Sequence, residues 1–196
     1  DGIVNTGTLE ARGHVTVGSL FDGGTSPLKF TNSTAAQTFT LTGGEALFGG
    51  NVTVDKASGT VSLASALTLN DSAQTLTLTS GTLDMVSYAL AVQGANNNQT
   101  LTINGGTLTQ GTGTLTTYNF TESSGTFNGG ANSVTVNGVF TLSGGAFTST
   151  SGTLTAAATF TISGTPTFTH NSGTVTFTVG AATIAPLGRL FNNVTF

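Results

Sequence analysis

Phe120, Phe140 and Phe160 are each followed by threonine and recur at a constant step of 20, and Phe127, Phe147 and Phe168 repeat the interval at 20 and 21. Leu115, Val134, Leu154 and Val175 form a third column, with steps of 19, 20 and 21. Three apolar columns that share one period leave few architectures open. A unit of about 20 residues cannot bury its own apolar face, so it must stack on copies of itself. Within a unit such as Thr159-Phe160-Thr161-Ile162-Ser163-Gly164, apolar and polar residues alternate, which is the period of a strand with one buried side. Ser124-Gly125, Gly144-Gly145 and Ser163-Gly164 follow such strands and supply corners. The expected fold is all-β: a parallel β-solenoid (β-helix) continuous over residues 1–196, with about 20 residues and three short strands per turn and roughly nine to ten turns. At ~4.8 Å per turn this makes a rod about 45 Å long. A β-sandwich also uses many short strands, but it does not require equal spacing column by column.

The same phrase occurs upstream with leucine for phenylalanine, from Leu76 to Leu83 and from Leu101 to Leu108, on looser spacing that corner loops of variable length absorb. A longer correspondence overlies the short one. Gly7-Thr8-Leu9 matches Gly152-Thr153-Leu154 at an offset of 145, Phe48 answers Phe191, and Asn51-Val52-Thr53-Val54 answers Asn193-Val194-Thr195-Phe196. Residues 7–54 thus resemble 152–196, a super-repeat of about 145 residues close to seven turns. On that reading the two ends are in phase, and the chain samples a concatenated array.

Composition sharpens the exclusions. Strong helix formers are scarce, and 37% hydrophobic residues with 6% charged reverse the signature of disorder. Four basic residues and a net charge of −4 leave no patch for phosphate backbones or anionic lipid headgroups, and no apolar run approaches a membrane span. The chain has no cysteine, hence no disulfide and no thiolate ligand. It opens Asp-Gly-Ile-Val with no signal peptide in view, which reads as a processed chain or a piece of a longer one.

Phrases such as LTLTSGTLD (Leu76 to Asp84), FTLSGGAFTSTSGTLT (Phe140 to Thr155) and GTVTFTVGAATI followed by LFNNVTF resemble the Thr/Gly/Asn-rich repeats of very large bacterial surface proteins. These are the filamentous-haemagglutinin-like and autotransporter-passenger adhesins. The resemblance implies an extracellular, cell-surface structural or adhesive role, and it carries over no catalytic residue.

Chemistry-bearing residues are sparse. Asp1, Glu10, Asp22, Glu45, Asp55, Asp71, Asp84 and Glu122 never recur at the period of the coil, so they are not expected to stack into the acidic cluster that solenoid lyases and hydrolases need. No charged side chain occurs from Ser123 through Gly188. The expectation is a protein without enzymatic activity, cofactor or metal. His14 and His170 read as surface or turn residues, and Asp22-Gly23-Gly24 as a turn. Lys29 and Asp55-Lys56 raise the thought of an intramolecular isopeptide bond with a nearby Asn, but no catalytic acid is visible beside them. Six Asn-x-Ser/Thr sequons, beginning at Asn32, Asn51, Asn70, Asn98, Asn119 and Asn193, are close to what this composition yields by chance.

Around the Leu115 column the outward pairs are Thr114/Thr116, Ser133/Thr135, Thr153/Thr155 and Thr174/Thr176, a two-file hydroxyl ladder of the kind ice-binding solenoids use. Threonine also suits any exposed strand. The leading expectation is a structural segment of an extracellular bacterial filament, stalk or giant adhesin that stacks end to end as a stiff rod, its partners being further copies of itself, or glycans or surfaces. The alternatives are a threonine-ladder binder of ice or glycans and a functional amyloid.

Overall fold

A computed structural model of the chain describes residues 5–21, 23–31, 34–42, 49–178 and 183–196. Asp1, Asp22, Glu45, Asn32 and Phe48 lie outside the described residues.

The described residues hold strands and no helix, and every strand pairing is parallel. The fold is a parallel β-solenoid whose coils present three faces in fixed order. The first face stacks Leu9–Ala11, Leu28–Phe30, the starts of Val52–Leu63, Thr75–Asp84, Thr100–Thr109 and Asn119–Asn128, then Phe140–Leu142, Phe160–Ile162 and Ile184–Ala185. The second face stacks Val15–Val17 on Gln37–Leu41, then the second halves of the four long strands, then Ala146–Thr148 and Thr167–Thr169. The third is a seven-stranded sheet from Leu67–Leu69 through Leu90–Val92, Leu115–Thr117, Val134–Val136, Thr153–Ala156 and Thr174–Phe177 to Asn193–Thr195.

Nine segments on the first face delimit about eight turns rather than nine to ten. The reason lies in the corners. Register partners along this face are offset in sequence by 19 at Leu9↔Leu28, but by 24 at Leu28↔Val52 and Val52↔Leu76 and by 25 at Leu76↔Leu101. The period tightens to 19 and 20 from Leu101 to Phe160, the stretch that carries the phenylalanine columns. Extra residues enter between strands, as in Gln93–Gln99, where the next coil has Tyr118 alone, and leave the pairing intact. Over the middle coils the expected three strands become two, because faces one and two run together as one bent strand with a bulge at the bend.

That bend depends on glycine. Gly59, Gly81, Gly106, Gly125 and Gly145 each precede the first residue of the second face, and those residues are in register from coil to coil. A Cβ at Gly125 would lie 2.3 Å from the Gly106 carbonyl oxygen, and one at Gly81 2.7 Å from the Lys56 Cβ. Gly81, Gly125 and Gly145 also hold φ between +75° and +88°, where side chains are strained.

The interior is a continuous file of like side chains. Phe120, Phe140 and Phe160 pair in register, their rings stacked at 5.1 and 4.5 Å with 7° between planes. Phe127, Phe147 and Phe168 do the same at 4.8 and 5.6 Å, and the two columns meet edge to face, for instance Phe140 against Phe147 at 5.3 Å. Leu115, Val134, Leu154 and Val175 form the third column and are buried. Each buried phenylalanine contributes about 1.5–3 kcal/mol from area, and offset or edge-to-face packing adds about 0.5–1.5. Phe168 is half-exposed.

Segments that correspond at an offset of 145 occupy different faces. Leu9 lies on the first and Leu154 on the third; Val15 on the second and Phe160 on the first; Val52 on the first and Val194 on the third. The correspondence therefore runs one face out of step with the coil.

Candidate functional site

With the apolar residues turned inward, the outward surface is made of β-branched hydroxyl residues, because alternation places every second strand residue outside. The expected ladder lies on the third face. Thr116, Thr135, Thr155 and Thr176 are register partners in one file, and Thr153 pairs with Thr174 in the next, with Thr114 beside Leu115 at its start. The first file continues to Thr195 at one end and breaks at Ala91 before Thr68 at the other.

A longer file lies on the first face, where the columns of the sequence did not lead. Thr53, Thr77, Thr102, Thr121, Thr141 and Thr161 are consecutive register partners without interruption. All six are half-buried at their sides by their neighbours and open outward. The signal for it is the Thr that follows each of Phe120, Phe140 and Phe160, carried back through the leucine coils. The file ends in charge: Thr53 is followed by Lys29 and then Glu10. The second face carries Thr60, Thr82, Thr107 and Thr126 in one file and Ser62, Asp84, Thr109, Asn128, Thr148 and Thr169 in the other.

The corners between faces are held by buried amides. Gln110 Nε2 donates to the carbonyls of Gly113, Asn132 and Ser133, and its Oε1 accepts the Gly130 N–H at 2.9 Å. Two coils later Thr150 bonds the carbonyls of Gly130 and Asn132. Gln74 donates to Gly50 O and Gln99 to Asp71 O, both at 2.7 Å, closing the corner into the first face.

Among the described residues, no three His, Asp or Glu side chains converge to hold a metal ion. His14 Nδ1 meets the Thr38 N–H and hydroxyl at 3.0 Å, and His170 Nδ1 accepts the Ser172 N–H at 3.0 Å within its own turn. Lys29 Nζ lies 2.7 Å from Asp55 Oδ2, and Ser80 Oγ donates to Asp55 Oδ1 at 3.0 Å. The hydrogen bond and charge of Asp55 raise the Lys29 pKa, and the bonds from Lys29 and Ser80 lower that of Asp55. Amide formation needs the reverse, a neutral amine facing a protonated acid, so this contact is an ion pair rather than a precursor of a cross-link.

Among the described residues, two ionisable groups face inward. Lys56 follows Val52 and Val54 in the inward alternation and is buried, its Nζ donating to Ala35 O at 3.0 Å and to Gln37 Oε1. Desolvation lowers its pKa. Glu122, two residues after Phe120, takes the inward position that Ile103 and Leu142 hold on the coils to either side. It is fully buried, and neither carboxyl oxygen has a hydrogen-bond partner. Burial pushes its pKa up to about 8, opposed by the nearby Ala146 N–H. The alternation Phe120-x-Glu122 places this residue inside, a signal that a census of charge by spacing passes over.

Comparison with protein-family models, with curated proteins and with solved structures finds no match to this chain.

Proposed function

We propose that the chain is a structural segment of an extracellular bacterial filament, stalk or giant surface adhesin, and that its work is to be a stiff rod. The observation that carries this reading is the unbroken parallel pairing of coil on coil, with like side chains in vertical files. Such a repeat propagates along its axis without a natural limit, and its outward surface is hydroxyl and amide with few charges. Antibody against the chain should label intact source cells, and particles of the purified chain should appear as rods. Labelling only after lysis would refute the surface role, and globular particles would refute the rod.

A second reading is favoured by one observation, the six-rung threonine file on the first face: a binder of ice or of an extended glycan. Thermal hysteresis and glycan-array signals should then fall with Thr121→Tyr and Thr141→Tyr, while Thr155→Tyr on the third face leaves them unchanged. Absence of both signals in the wild-type chain removes this reading and leaves the rod standing.

A further inference from the structure

Glu122 stands where the fold has no use for a charge. Its coil, Asn119–Asn128, lies between the coil of Leu101–Ile103 and that of Phe140–Leu142, and its inward column reads Ile103, Glu122, Leu142. The carboxyl is closed off from water and neither oxygen makes a well-formed hydrogen bond, although the Ala146 N–H lies nearby; the adjoining corner is Gly145, where a Cβ would sit 2.5 Å from Oε1. Phe120 on the same strand is stacked on Phe140 and lies edge-on to Phe127 and Phe147. We propose that Glu122 is a proton-operated latch within the solenoid: the coil around it is closed while the carboxyl holds its proton and loosens when the proton leaves.

The physical argument is that a carboxylic acid without partners is tolerable in an apolar column, whereas a carboxylate without partners is not. No counter-charge relieves it. From Leu101 to Ile162, the coils that supply everything stacked above and below it, the only other titratable side chain is Tyr118. Lys56 belongs to the Val52–Leu63 strand and is separated from the Glu122 coil by Thr75–Asp84 and Thr100–Thr109.

The sign follows from linkage. A carboxyl whose pKa rises from 4.5 in the unfolded chain to about 8 in the folded one binds its proton more tightly when folded. Its contribution to stability is therefore complete below about pH 4.5, declines as pH rises, and is gone above about pH 8. Over that window the unfolding equilibrium shifts on the order of a thousandfold toward the unfolded chain. Glu122 thus holds its coil most tightly in acid, opposite in sign to Asp55, whose pKa the bonds from Lys29 and Ser80 lower.

Urea unfolding of the whole chain from pH 4.5 to 9, compared with Glu122→Gln and Glu122→Leu, tests this. The wild-type chain should lose stability across the window relative to both variants, the glutamine variant matching it near pH 4.5 and exceeding it increasingly above. Since Leu continues the Ile103–Leu142 column, that variant should fold even where Gln does not. Infrared or carbon-13 titration of the folded wild type should show one carboxyl still protonated at pH 6.5, and Phe120 and Phe140 amides should exchange faster above pH 8 beyond the intrinsic base dependence. Parallel pH profiles for wild type and the leucine variant, or a Glu122 carboxyl that ionises near 4.5, would overturn the proposal.

Discussion

Single residues differ widely in what they contribute. Phe140 is enclosed by rings above, below and beside it, so Phe140→Ala opens a void that the stack cannot close, at a cost of about 3–5 kcal/mol by urea denaturation. Phe168 is half-exposed, and its replacement should cost clearly less. The glycines divide in the same way. A Cβ at Gly130 would lie 1.8 Å from the Gly111 carbonyl oxygen, whereas at Gly13 it meets nothing within 4 Å and φ is not positive. Gly130→Ala is expected to destabilise by about 1–3 kcal/mol, and Gly13→Ala to stay within about 0.5. The inward position of Glu122 and of Lys56 was written in strand parity, Phe120-x-Glu122 and Val54-x-Lys56. What parity did not reveal is that the coils on either side leave both Glu122 oxygens without a well-formed hydrogen bond, because that depends on the register of neighbours a full coil away in each direction.

At the level of strands and corners, the phenylalanine columns were legible because a bulky ring is rare against a background of threonine and because their coils keep a nearly constant length. The first-face threonine file was not, since Thr is abundant enough to match at any offset, and the upstream coils are longer, with steps of 24 and 25. The merging of two faces into one bent strand was equally hidden: Ser-Gly and Gly-Gly announce a corner, yet whether pairing survives it is decided by the bulge. The buried amides give corners a testable energy. Gln110→Leu leaves the Gly130 N–H without its acceptor and takes one donor from the carbonyls of Gly113, Asn132 and Ser133, of which Asn132 keeps the Thr150 hydroxyl and Ser133 the Leu115 N–H. A loss of about 1–3 kcal/mol is expected on urea unfolding. Thr121→Val, which keeps the branched Cβ on the outer face and removes only the hydroxyl, should shift the same midpoint little while abolishing any ice or glycan signal carried by the first face.

For the molecule as a whole, each coil pairs its strands only with the coils beside it, the Asn137–Gln93 bond across the Tyr118 corner reaching one further, so stability is close to a sum over neighbours and is least at the ends. Hydrogen exchange should show greatest protection in the coils from Leu101 to Ile162 and a fall toward both termini; uniform protection would mean that the stack opens as one unit. The expectation of a coil was sound because the period is a property of stacking itself, but the number of coils was overcounted by dividing length by the tightest spacing. The super-repeat marks where phrase matching stops being informative. Similar phrases fall on different faces, because all three faces ask for the same alternation of apolar and hydroxyl residues.

Short coils, with a step of 19, and long ones, with a step of 25, sit one upon another with their pairing unbroken, the surplus carried outside the ladder in segments such as Gln93–Gln99. The scaffold therefore tolerates length polymorphism at its bends. A foreign peptide grafted between Ala95 and Asn98, at the exposed tip of that segment, should be displayed from the flank of the rod without disturbing the strands on either side.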